Sequence, residues 1–186
     1  NVKLASPQEV YVAIAENRID KEMSFPAINI RVGTLDTARA MFKAANDKKV
    51  GALIVEIARS EMGYTKQSPA EYASVVQAAA MLEGFEGPIF LQGDHVQLKS
   101  APVRSGGEAG AKEINAHRNL IRELLEAGFG SIDLDMSPFE RRTEENLSFS
   151  EQQAENARLT AEKIADVRAL EKELGIPWTV LLGGET

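Results

Sequence analysis

Short, nearly continuous apolar runs recur along this chain, and between them apolar residues return at helical spacing. Ala52-Leu-Ile-Val-Glu-Ile57 is such a run, as expected of a strand buried on both faces. Phe25-Pro-Ala-Ile-Asn-Ile-Arg-Val32 predicts a strand before it. Pro88-Ile-Phe-Leu-Gln92, Ser131-Ile-Asp-Leu-Asp135 and Trp178-Thr-Val-Leu-Leu182 predict three more after it. The stripes give the helices. One opens the chain, from Pro7 to Asn17. A second, Leu35 to Asn46, carries Ala38, Met41, Phe42 and Ala45 on one side. Ser68-Pro-Ala-Glu71 has the form of a capping box with proline in the first turn, and the helix it starts runs to Glu83 and stops at Gly84. Ile114, His117, Ile121, Leu124 and Leu125 mark another, ended by Gly128. Ser148-x-x-Glu151 starts a long helix to Leu174, closed by Gly175 and Pro177. Two stretches lack either rhythm and read as loops: Met62-Gly-Tyr-Thr65, and Lys99 to Gly110, which holds Gly106-Gly107 and reads as a flexible, lid-like segment.

Strand and helix in strict alternation predict an α/β fold with parallel pairing. Two closures satisfy it, an open doubly wound sheet or a (β/α)8 TIM barrel. The polar residues choose between them. Asp94-His95, Asp133 with Asp135, and Glu185 stand at the carboxyl ends of three successive strands, whereas an open sheet gathers its ligand groups mainly at one switch point. A barrel is therefore expected. Five strands are too few to close one, so residues 1–186 are expected to form a single domain that is the N-terminal part, about five βα units, of a (β/α)8 barrel. The chain also opens on Asn1 and ends Gly-Gly-Glu-Thr186, either of which is expected to be a boundary within something longer.

Composition narrows the partners. A formal net charge of −7 argues against nucleic acid and anionic membranes, which need clustered Lys and Arg, although a local field still permits a small phosphorylated substrate. The absence of cysteine removes disulfides, thiolate nucleophiles and Cys-ligated metals. No apolar run reaches the roughly 20 residues of a membrane helix and no signal peptide opens the chain, so a cytoplasmic location is expected.

Gly93-Asp94-His95 carries the strongest chemical signal. A carboxylate beside an imidazole at a strand end suits a site on a barrel mouth. Successive strand residues face opposite ways, so both reach one site only if the backbone turns near Gly93; otherwise Asp94 caps a turn and His95 sits on the rim. Glu185, behind two glycines, is either a metal ligand or a charged loop residue. Asp133 and Asp135 share a strand face and fit cation binding if that face is interior; failing that, Asp135 caps a turn. Asn29, Arg59 and Ser60 either hydrogen-bond a substrate or are ordinary loop residues at the strand ends. His117, on an apolar stripe, reads as a packing or surface residue. No lysine stands at a strand end, which disfavours Schiff-base chemistry.

Several of these segments resemble a known family. Phe25-Pro-Ala-Ile-Asn29 is similar to the first-strand segment of the class II fructose- and tagatose-bisphosphate aldolases, Phe90-Leu-Gln-Gly-Asp-His95 to their third-strand motif, and Ile132-Asp-Leu-Asp-Met-Ser137 to their fourth. Val55-Glu56, Gly63-Tyr-Thr65 and Ser68-Pro-Ala70 look closer to the Z-type subunit of tagatose-bisphosphate aldolase. The resemblance implies a metal-dependent lyase acting on a phosphorylated sugar, with Asp94 as catalytic acid/base, His95 as a ligand to Zn2+ or another divalent cation, Glu185 as a further ligand and Asp135 as a second-cation residue. The two other histidine ligands of the family are expected on later strands. A homo-oligomer is the expected assembly. Two alternatives stay open: a non-catalytic barrel subunit that supports an aldolase partner, and another phosphosugar-binding barrel enzyme.

Overall fold

Strand–helix alternation holds throughout the computed structural model, which describes residues 3–20, 25–142, 146–177 and 179–183. In chain order the elements are α1 (Gln8–Ala15), β1 (Ala27–Asn29), α2 (Thr34–Lys48), β2 (Leu53–Ala58), α3 (Arg59–Thr65), α4 (Pro69–Leu82), β3 (Ile89–Asp94), α5 (Ser100–Ser105), α6 (Gly107–Glu126), β4 (Ser131–Leu134), α7 (Phe149–Leu174) and β5 (Val180–Gly183). Every pairing is parallel and the strand order is β1-β2-β3-β4-β5. Neighbours in space follow neighbours in sequence with no reversal, as in five consecutive units of a (β/α)8 barrel and unlike a doubly wound sheet, whose order turns back at a switch point.

The strands owe their burial to their two faces. Leu53, Val55 and Ile57 of β2, Ile89 and Leu91 of β3, and Ile132 and Leu134 of β4 point to the helices. There they meet Phe42 of α2, Tyr72 and Val76 of α4, Ile121 and Leu124 of α6, and Val167 and Leu170 of α7 in a buried cluster. The opposite face is polar at one level. Register aligns Asn29 with Glu56, Glu56 with Gln92 and Gln92 with Ser131. Within this row Gln92 Nε2 donates to Glu56 Oε2 at 2.8 Å, and Ser131 Oγ donates to Gln92 Oε1 at 3.1 Å. That row makes the inner surface suited to polar ligands.

The box expected at α7 forms in full, and the one expected at α4 forms by half. Ser68 Oγ accepts from the Glu71 amide, and at α7 the Ser148–Glu151 pair is reciprocal. The two expected loops are helical instead. Met62–Thr65 lies in α3, a helix too short to show a stripe, held by Glu61 Oε2 accepting from the Ala58 amide at 2.8 Å. Residues 99–110 form α5 and the start of α6, packed so closely that a Cβ on Gly110 would lie 3.2 Å from the Pro102 carbonyl oxygen. Gly106 and Gly107, both at positive φ, make the corner between the two helices, so the glycines serve close packing and not a lid. The first strand is also shorter than its apolar run, because Gly33 at φ 57° turns the chain into α2. No helix among the described residues is long and apolar enough to cross a membrane.

Candidate metal and acid–base site

At the end of β3 the chain must leave the sheet without losing its packing against α6. A Cβ on Gly93 would sit 3.0 Å from Val96 Cγ2 and 3.2 Å from Leu124 Cδ1, so glycine is required there by the helix-side contact. The turn expected near Gly93 falls at His95 itself, which adopts φ 42°, a conformation costly for a non-glycine residue. Asp133 holds it. Its Oδ2 accepts from the His95 amide at 3.3 Å and its carbonyl from the Val96 amide at 2.9 Å. Reversal at His95 returns the imidazole to the side of Asp94 and sends Val96 into the core. We expect Gly93→Val to cost about 1–3 kcal/mol by overpacking this contact, read as a lower chemical-denaturation midpoint at unchanged slope; an unchanged midpoint would show that the contact relaxes freely.

One imidazole and two carboxylates meet at this point. Ligand atoms of Asp94, His95 and Asp133 all lie within 4.8 Å of one another. His95 Nε2 is 3.9 Å from Asp94 Oδ1, and its Nδ1 is 3.8 Å from Asp133 Oδ2 and 3.2 Å from Asp135 Oδ2. Asp135 lies outside the three-residue cluster, fully buried behind the ring. Its Oδ2 also accepts from Gln97 Nε2 at 2.6 Å, and its Oδ1 from the Ser137 amide at 2.9 Å. The turn-capping alternative for Asp135 is thus what its contacts show. Burial works against its charge, yet hydrogen bonds from Ser137, Gln97 and His95 outweigh that and hold the carboxyl below its usual range. An anion there orients the His95 ring.

Asn29 and Glu61 complete the surround. Asn29 Nδ2 donates to Glu61 Oε2 at 3.0 Å and to Asp94 Oδ2 at 3.4 Å. That fixes the amide's orientation, since its oxygen cannot face two carboxylates. Asn29 Oδ1 is buried with no hydrogen-bond partner among the described residues. Glu61, buried and paired with Arg31 at 3.1 Å, went unsuspected in the sequence; its only signal was a carboxylate three residues beyond a strand end. Glu56 likewise went unsingled, although a charge inside an apolar run was the cue. Burial, and then the charge of Asp94, push its carboxyl up. Arg59 is committed elsewhere. It pairs with Glu113 at 2.6 and 3.3 Å and donates to the Gln97 carbonyl, pinning α3 and the loop after β3 to α6. Ser60 is exposed beside a cleft that also touches His95. Glu185 and Trp178 lie outside the described residues.

Residues 11–176 match the family described as fructose-bisphosphate aldolase class-II. The chain belongs to that family. Among solved structures it resembles a probable tagatose 6 phosphate kinase from Sinorhizobium meliloti 1021, with a TM-score of 0.57 and 22% identity over 88% of this chain. That likeness bears on the fold alone. The chain spans only 39% of that protein's length. Proteins of curated function give no sequence match.

Class II aldolases depend on a metal, and the cluster fits one. Two carboxylates and a neutral imidazole offer a hard–borderline donor set whose charge matches a divalent cation. The one other histidine of the chain, His117, is buried on α6 with Nε2 3.0 Å from the Val96 carbonyl oxygen and is not one of the cluster's three residues. As expected of a stripe residue, it packs.

Proposed function

We propose that this site carries out metal-dependent aldol cleavage and condensation of a ketose bisphosphate such as fructose or tagatose bisphosphate. The observation that carries the proposal is the convergence of Asp94, His95 and Asp133, in a chain of the class II aldolase family. His95 and Asp133 would hold the cation, zinc or another divalent ion, with Glu185 proposed as a further ligand. When bound, that cation supplies Lewis acidity, polarising a substrate carbonyl and stabilising the charge that develops beside it.

The chain's own groups do the rest. Asp94, a fifth exposed and backed by Asn29, moves the proton at the aldehyde-derived hydroxyl. Asn29 fixes the direction of that carboxylate through its Nδ2. Asp135 holds the ring of His95 from behind. Arg59 keeps the rim rigid and Ser60 faces the substrate from α3. A calorimetric titration with a divalent cation tests the site directly. One saturable equivalent is expected for the wild type. His95→Ala and Asp133→Asn should each weaken it by at least the roughly 10–100-fold typical of losing an outer-sphere partner. A wild type that binds no cation, or variants that bind it as well, would sink the assignment.

A second reading has its own support. The described residues bring a single imidazole to the cluster, fewer than the three histidines that the family resemblance implies. A non-catalytic barrel subunit supporting an aldolase partner, with the cluster as a structural or binding site, accounts for that. Cleavage activity that appears only when a partner is added, and survives Asp94→Asn, would favour it.

A further inference from the structure

Gln97 follows His95 by two residues and is tied through each of its polar groups. Its backbone amide donates to the His95 carbonyl at 2.8 Å, closing the tight turn that the positive φ of His95 begins. Its backbone carbonyl accepts from Arg59 Nη1. Arg59 is in turn paired with Glu113 on α6, and Glu113 also accepts from the Lys99 amide at 3.0 Å, so residues 97–99 are anchored to that helix. Val96 and Leu98, on either side, are buried in the core, which leaves Gln97 on the side of the cluster. There its Nε2 donates to Asp135 Oδ2 at 2.6 Å. The donor must be the nitrogen, because an ionised carboxylate only accepts. The same Oδ2 lies 3.2 Å from His95 Nδ1, and the other oxygen of Asp135 accepts from the Ser137 amide at 2.9 Å. A carboxylate held at both oxygens has its plane fixed, so the oxygen shared by Gln97 and the ring keeps one direction. Asparagine would be one methylene too short for this, and glutamate would set a second charge against Asp135.

We infer that Gln97 is a positioning residue for the cation site: it fixes Asp135 Oδ2, and through that oxygen holds the His95 ring facing Asp94 and Asp133. With Oδ2 as the acceptor, the neutral ring carries its proton on Nδ1, and Nε2, 3.9 Å from Asp94 Oδ1, keeps the lone pair. That a cation is bound here rests on the aldolase reading above; the hold on the ring rests on the contacts of Gln97 alone. Gln97 also borders the cleft that opens beside His95, so a direct contact with substrate is the competing role. The two roles differ in what they move. A substrate contact changes KM and leaves the ring and the cation as they were. A positioning contact changes the ring even with no substrate or cation present.

Gln97→Met, which keeps the length and removes the donor, tests the inference. In metal-free wild type at neutral pH, nitrogen–proton correlation spectra of the imidazoles should show His95 chiefly as the Nδ1–H tautomer, with His117→Gln telling the two histidines apart. In Gln97→Met the ring should become a mixture of both tautomers. Zn2+ affinity, followed by calorimetry, should fall about tenfold, the lower end of the cost of losing an outer-sphere partner. Added to Asp135→Ala, the same substitution should weaken Zn2+ no further, because the oxygen it acts through is gone. An unchanged tautomer in Gln97→Met, additive losses in the double variant, or a raised KM with Zn2+ affinity untouched would overturn the inference. Should Gln97→Met fail to fold, Gln97→Asn, too short to reach Asp135, carries the same readouts. A wild type that binds no Zn2+ removes the aldolase reading, and the tautomer comparison still decides whether Gln97 holds the ring.

Discussion

Asp94→Asn is expected to slow aldol cleavage by roughly 10²–10⁴-fold, the usual contribution of a positioned proton-transfer group, while cation affinity stays within a few-fold of wild type. The substitution is nearly isosteric and keeps an oxygen for the Asn29 amide, which now donates to Asp94 Oδ2 at 3.4 Å. It removes only the ability to carry a proton. Asp94 also lies 3.9 Å from His95 Nε2, close enough for a ligand role to be the rival explanation. Two measurements on the same variant tell these apart: steady-state cleavage of fructose or tagatose bisphosphate at saturating cation, and the cation titration. A rate within threefold of wild type would remove Asp94 from proton transfer. A joint fall in rate and cation affinity would make it a ligand instead.

Much of the architecture was legible because it depends on long, strongly periodic segments. β2 and β3 carry continuous apolar runs, and α4 and α7 begin with capping chemistry that local sequence alone dictates. The barrel order followed from where the polar residues fell. What escaped notice was short or tertiary in origin. α3 and α5, of seven and six residues, have too few turns to display a stripe. The turn at His95 was assigned to Gly93 because glycine is the usual residue for it; here glycine answers to Leu124, brought close by α6 from over thirty residues away. The same holds for the site. Asp94 and His95 stood out as neighbours, and Asp133 was in view as one of a pair on β4. Yet which of Asp133 and Asp135 joins the cluster depends on the path of the chain after His95. Asn29 was singled out by position, and the structure brings its amide to Asp94, but its other partner, Glu61, belongs to a helix that the pattern did not show.

That path is also where acid should loosen the protein. His117 is fully buried on α6, with Nε2–H donating to the Val96 carbonyl next to His95, and with Nδ1 lacking a hydrogen-bond partner among the described residues. Burial lowers its pKa from 6.5 to about 4 and outweighs the hydrogen bond to the Val96 carbonyl, the strongest pull the other way; the charges of Arg59 and Lys163 add smaller lowering contributions and Glu113 a smaller raising one. A buried imidazole held neutral is a cost that the unfolded chain does not bear. Between pH 6.5 and about 4 the unfolded state binds a proton that the folded state refuses, so stability is full above that window and falls as pH drops through it. A window of that width corresponds to on the order of 3 kcal/mol at 1.36 kcal/mol per pH unit. Denaturant unfolding at pH 7, 5.5 and 4.5 should show that loss in the wild type. In His117→Gln, which keeps a donor for Val96 but takes up no proton, the fall across the same window should be shallower by about one proton's slope. The carboxylates held low here, Asp135 and Glu113, lose their contribution only at lower pH, so they leave the difference between the two proteins unaltered. Parallel curves for wild type and variant would mean that His117 is hydrated or titrates normally.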